Sequence, residues 1–213
     1  MLTVADIEPH INEAFDGQLV PHGFARVARR KWVRSTKTPI RELFVINSLK
    51  GGRFSPAWGF STGLVPYRTT SGFKRQSTDK NSIMDLLVDP IDVTANVPKQ
   101  TFSFITGFHS EIPLKPIQEC AKHFGPLACA DFDRVQDLHD FCQFFLRRER
   151  IRYKRLGFYT YVQHGLTSGF VMLFTGNVEG GLSQIRRFCD SWDLRFDDPV
   201  LTECIAHAQA YSA

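Results

Sequence analysis

Residues 57–65 read AWGFSTGLV, and the fold turns on how that stretch is taken. Gly59-Phe60-Ser61-Thr62-Gly63 fits G-x-S-x-G, the nucleophile-elbow pattern of α/β-hydrolases, in which a strand ends sharply at the serine and a helix follows. The same residues also alternate: Trp58, Phe60, Thr62 and Leu64 fall on one side, with Ala57, Gly59, Ser61, Gly63 and Val65 on the other. A period of two that runs straight through the serine marks a β-strand. The following LVPYRTTSG cannot start a helix. Ser61 is therefore read as a strand residue, and a hydrolase built on it is the least favoured functional reading.

Upstream, Leu43–Ile46 within IRELFVINSL (40–49) is apolar on both faces, as an interior strand requires. Residues 24–35 are rich in branched, aromatic and long basic side chains. Three successive strands with short connections favour an antiparallel meander. Before them, Val4, Ile7, Ile11, Ala14 and Phe15 share one face of a helix over 3–19, capped by Thr3 or Asp6 and stopped by Pro21 and Gly23.

Downstream, PYRTTSGFKRQSTDKNS (66–82) has the composition of a long mobile loop. Two further strands, 83–93 and 99–108, extend the sheet, and Pro90 ends the first early or makes it an edge. After residue 112 the pattern turns helical. One helix covers 113–124 and stops at Gly125-Pro126; a second covers 131–150, capped by Asp131. Residues 156–174 fit a strand or a buried helix, because internal glycines weaken both patterns. Asn177 caps a helix carrying Val178, Leu182, Ile185, Cys189 and Trp192, and a last helix starts at Asp198-Pro199. The order predicts one α+β domain over 1–213, sheet-rich to 112 and helix-rich beyond. Its antiparallel sheet of about four or five strands would lie between an N-terminal helix and a C-terminal helical layer.

With 213 residues, 43% hydrophobic and 19 phenylalanines, the chain has ample apolar area for a core. No apolar run approaches the roughly 18 residues of a membrane span, and the first residues lack the basic and apolar regions of a secretory signal. The cysteines, Cys120, Cys129, Cys142, Cys189 and Cys204, are odd in number and form no C-x-x-C. Buried free thiols in a reducing cytoplasm account for them. Cys120-x-x-His123 with Cys129 could begin a zinc site, but a tetrahedral site needs a fourth ligand that the spacing does not supply. Neither metal nor cofactor is expected.

Charge is the informative quantity. Residues 1–21 hold four acids and no base, whereas 22–75 hold twelve bases against Glu42 alone. FARVARRKWVRS (24–35) carries five of those bases, and RRERIRYKR (147–155) adds six with one acid. A half-buried strand keeps one face apolar, but Arg26, Arg30 and Arg34 alternate with Arg29 and Lys31. The stretch is then either an edge strand protected by charge or a surface that holds an acidic partner. Candidate partner-binding residues are Arg29, Arg30, Lys31, Arg34, Lys74, Arg75, Arg147, Arg148 and Arg150. The partner would be an acidic protein or a nucleic acid, and Trp32, Phe54, Trp58, Tyr67 and Phe73 could stack on bases of a single strand, although Trp58 also sits on the alternating apolar face and reads as core. No RNP or helix-turn-helix pattern accompanies them.

Asp131, Asp133, Asp137 and Asp140 surround His139, and 133, 137 and 140 share a helical face. The solvated side of a helix explains the group better than a catalytic cluster, so no catalytic residue is assigned.

A helix ending in Gly23-Phe24, a basic strand, LFVINSLK, a Gly-rich turn and F-x-x-x-x-G-F-S-T-G-L-V-P together resemble a bacterial family of unknown function, over roughly residues 8–66. In that family such a run opens an α+β domain. The resemblance implies a bacterial cytoplasmic protein from a toxin–immunity or defence neighbourhood, and it supplies no catalytic residues. The combined expectation is a non-enzymatic binding protein with a basic strand–loop surface. Sequence-tolerant nucleic-acid binding is the alternative.

Overall fold

A computed structural model describes residues 2–37, 39–49, 52–88, 104–105, 111–149 and 163–211. Helix α1 (Val4–Leu19) leads into strands β1 (Ala25–Ala28), β2 (Lys31–Lys37), β3 (Ile40–Leu49) and β4 (Arg53–Thr62). Short strands β5 (Tyr67–Arg68), β6 (Phe73–Lys74), β7 (Leu86–Val88) and β8 (Phe104–Ile105) follow. Helices α2 (Leu114–Phe132), α3 (Leu138–Glu149), α4 (His164–Phe174), α5 (Val178–Ser191) and α6 (Pro199–Tyr211) complete the order. The main sheet runs β1-β2-β3-β4-β7, with β8 paired to β4 and a separate β5-β6 hairpin. The class is α+β with an antiparallel sheet, as the order of elements predicts. AWGFSTG is strand as far as Thr62. Parts of the strands predicted at 83–93 and 99–108 lie outside the described residues.

The chain divides into two compact units. One holds Met1–Arg34, Glu42–Gly59 and Leu87–Arg134; the other holds Ser35–Arg41, Phe60–Leu86 and Val135–Ala213.

In the first unit α1 turns Ile7, Ile11, Phe15 and Leu19 inward, one helical face. Phe15 meets Trp32 at 5.8 Å and Phe44 at 5.2 Å, Phe44 stacks on Trp58 at 6.0 Å, and Trp58 meets Phe124 at 5.9 Å. Buried indoles need a partner for N–H, and each finds an aspartate. Trp32 Nε1 donates to Asp16 at 2.7 Å, and Trp58 Nε1 donates to Asp131 at 2.9 Å.

Gly125-Pro126, predicted as a stop, lies inside α2. The glycine serves packing: a β-carbon there would fall 2.8 Å from Cβ of Gln18, so α2 passes α1 at a distance only glycine permits. Asp131, predicted to cap the next helix, is buried in the last turn of α2. The following helix instead starts at Leu138 and is capped by Asp137, whose carboxylate accepts from Asp140 N at 2.8 Å.

In the second unit Leu166, Phe170, Leu173, Ile185, Cys189, Leu201, Cys204 and Ala208 share a core with Val65 and Phe73. Of the undecided segment 156–174, residues 164–174 are helix, and 156–162 lie outside the described residues. The glycines that blurred its pattern make a close helix crossing. A β-carbon on Gly169 would meet Cγ1 of Ile185 at 2.5 Å, and one on Gly181 would meet the Gly169 carbonyl at 2.8 Å. Residues 66–82 also depart from expectation. They hold the β5-β6 hairpin, register Tyr67↔Lys74 and Arg68↔Phe73, rather than a free loop.

All five cysteines are free and buried. Burial pushes the thiols of Cys120 and Cys142 up to about 12 and those of Cys189 and Cys204 to about 11. The nucleophile is the thiolate, so alkylation of the native chain near neutral pH is expected to be slow at every cysteine and to become fast in denaturant. Mass-resolved labelling with iodoacetamide checks this; rapid native labelling of any of the five would contradict the packing. Among the described residues no helix is long and apolar enough to cross a membrane.

Candidate partner-binding surface

β1 is the outer strand of the main sheet, only four residues long, and the register with β2 slips between Arg26 and Ala28. Its turn, Arg29-Arg30, sets Arg30 at φ 55. Asparagine or glycine usually occupies that left-handed position.

The acids of α1 answer the bases of this hairpin. Arg26 Nε lies 3.2 Å from Asp16, whose same oxygen receives the Trp32 indole. Glu8 faces Arg29 at 3.6 Å and Arg30 at 3.8 Å, and the Arg30 guanidinium lies 5.2 Å from the Phe54 ring centre. The acidic first segment and the basic stretch are therefore two halves of one pairing.

Arg34 is an internal group. Its side chain is 14% exposed, ion-paired with buried Glu42, and 3.2 Å from Asp133. It also donates to the His22 carbonyl at 3.0 Å and lies over the Phe24 ring. Arg29 is the contrast: 86% of its side chain is exposed at the hairpin tip. Lys31 opens β2 and is half-buried.

The other candidates belong to the second unit. Lys74 is exposed on β6. Arg75 approaches Glu203 at 2.5 Å and His207 Nδ1 at 3.4 Å. Arg147 is exposed near the end of α3, donating to the Gln143 carbonyl at 3.3 Å. Arg148 belongs to α3, and Arg150 lies outside the described residues with the rest of 150–155. Of the aromatics expected to stack on bases, Trp32, Phe54, Trp58 and Phe73 are buried, which takes most of a stacking platform away from that surface.

Ser61 is buried near the end of β4 and donates to Gln76 Oε1 at 2.6 Å. Gln76 Nε2 in turn donates to the Val65 carbonyl and to Asp85, both at 2.9 Å, and Thr62 N donates to Asp85 at 2.7 Å. This network pins the segment after β4 and leaves no exposed nucleophile at Ser61. The aspartates near His139 are likewise occupied: Asp131 by Trp58, Asp133 by Arg34, and Asp137 with Asp140 in capping.

One surface feature escaped the sequence reading. Trp192 is 51% exposed, and the Arg68 guanidinium sits 3.5 Å above its ring. An Arg at the end of a short strand and a Trp just past a helix carry no pairing signal in sequence.

Comparison with family models, with curated proteins and with solved structures finds no match.

Proposed function

We propose that this chain is a non-enzymatic interaction module, bacterial and cytoplasmic, that engages an acidic partner through the tip of its β1–β2 hairpin. The resemblance over residues 8–66 supports a setting among toxin–immunity or defence systems. The exposure of Arg29 carries the reading. Its neighbours are anchored by acids of the same unit, so the hairpin is held in place while one guanidinium points to solvent. An arginine presented on a fixed support loses little freedom on meeting a carboxylate and can bind it with two parallel hydrogen bonds. The binding set narrows accordingly to Arg29 with Lys31, supported by Arg26 and Arg30, while Arg34 belongs to the fold.

The test is copurification of the tagged full chain at low salt, compared with an Arg29→Glu, Lys31→Glu variant that keeps Arg30 and Arg34. A stoichiometric acidic protein is expected, with affinity reduced at least about tenfold in the variant and the loss growing as salt is lowered. Equal capture by both chains would end this reading. Capture of nucleic acid instead, with log affinity falling by about 0.7–0.9 per neutralised phosphate against log salt, would replace it.

A further inference from the structure

An open groove of about 530 Å³ lies between α1 and the hairpin. Its helical wall presents acceptors: the carboxylates of Glu8, Glu13 and Asp16, together with Asn12. Asn12 is 9% exposed, and its Oδ1 accepts no hydrogen bond among the described residues. Buried side-chain oxygens are nearly always paired in folded proteins. Pro9, inside α1, has no N–H to give the carbonyl of Ala5 one turn earlier, and both residues line the groove.

The opposite wall is supplied by Arg26 and Arg29 and presents donors. Arg26 is engaged by Asp16, but Arg29 reaches Glu8 only at 3.6 Å. Behind Glu8, Arg30 leaves Nε and Nη1 buried without hydrogen-bond partners and holds the left-handed φ of 55.

A strand added to the β1 edge would be another occupant, but β1 is short, irregular in register and arginine-bearing. Those features block sheet extension. A purely cationic ligand would face Arg26 and Arg29, and a purely anionic one would face three carboxylates.

We propose that the groove binds a zwitterion, a free amino acid or dipeptide. The ammonium would be held by Asn12 Oδ1, the Ala5 carbonyl and Glu13, and the carboxylate by Arg29. From Ala5 to Asp16 the wall extends about 16 Å at 1.5 Å per helical residue, enough for either ligand. This goes beyond the macromolecular reading and shares with it Arg29 and the supporting Arg26.

The experiment titrates the full chain with the twenty free L-amino acids and with glycyl dipeptides, each followed by amide chemical shifts. The carboxamide and N-acetyl derivatives of any binder are then compared. At least one zwitterion is expected to bind, both derivatives to be weaker by about tenfold or more, and the perturbed amides to cluster at Ala5–Asp16 and Arg26–Arg30. Glu13→Gln changes an exposed residue and should weaken binding without altering the melt. Asn12→Leu should weaken it further, with its fold checked by circular dichroism. Absence of any binder up to about 10 mM, a carboxamide that binds as well as its free acid, or competition by spermidine alone would overturn the proposal. Glu13→Gln leaves Arg29 and Lys31 in place and should not change partner capture, so the two readings fail separately.

Discussion

Replacing Arg34 with alanine is expected to lower the unfolding free energy by about 3–5 kcal/mol, read as a shifted urea midpoint with an unchanged slope. Glu42 is buried, and Arg34 is its ion-pair partner. Removing the guanidinium would take an ion-pair partner from a carboxylate held away from water, and breaking a buried pair from one side costs more than the pair itself is worth. The exposed Asp133 contributes little, because solvent screens it. Lysine should rescue only in part, since one ammonium cannot reach Glu42, the His22 carbonyl and Asp133 with fixed forked geometry. The double change Arg34→Met, Glu42→Leu removes both charges and is expected to regain most of the loss. A drop below about 1 kcal/mol for Arg34→Ala, the scale of exposed pairs, would return Arg34 to the surface set from which the structure removes it.

The second large effect belongs to Asp85. Alanine there would leave Thr62 N as a buried donor without that acceptor and one N–H of Gln76 Nε2 unpaired beside the bond it keeps to the Val65 carbonyl, and each such orphan costs about 1–3 kcal/mol. A total of about 2–4 kcal/mol is expected by urea titration, together with faster proteolysis within 63–85, the segment that Gln76 brackets. Stability should also respond to pH. Burial holds the Asp85 carboxyl well above the usual carboxylate range, outweighing the Thr62 and Gln76 hydrogen bonds and the nearby Arg41. Between the ordinary carboxylate range and that raised value the folded chain keeps a proton that the unfolded chain has released. Asp85 therefore contributes most below this interval, and the contribution is lost as pH rises through it. Urea midpoints measured across the interval should fall more steeply for the natural chain than for Asp85→Ala; parallel curves would show that Asp85 does not titrate there.

The readable parts of this fold are those where burial imposes a period on one element at a time. Trp58 and Phe60 alternate because one side of β4 faces a core. Leu182, Ile185 and Cys189 recur because one side of α5 does, whereas Val178, at its first turn, is exposed. What could not be read depends on a second element. Gly125 has the local look of a helix end, and only Gln18 on α1 explains why glycine sits in mid-helix. Gly165 and Gly169 blur a helical pattern for the same reason, since the tight crossing with α5 is a property of two helices. In 66–82 the polar composition is that of a loop, yet Gln76 is a buried bracket; composition records polarity and not where a polar group finds its partners. The basic stretch was legible as charge but not as surface, because the acids that engage Arg26, Arg29 and Arg30 lie on α1 and the one that engages Arg34 lies on β3.

The counter-charges of the hairpin precede it, on α1. A shortened form beginning after Leu19 would keep Arg26, Arg29 and Arg30 while losing Asp16 and Glu8, and would uncover the Trp32 indole. Such a fragment would be an indiscriminate polycation, adhering to nucleic acid and anionic resins whatever the intact protein recognises. The amino-terminal helix thus acts as a built-in sheath, and an affinity screen run on a trimmed clone would report the adhesive beneath it.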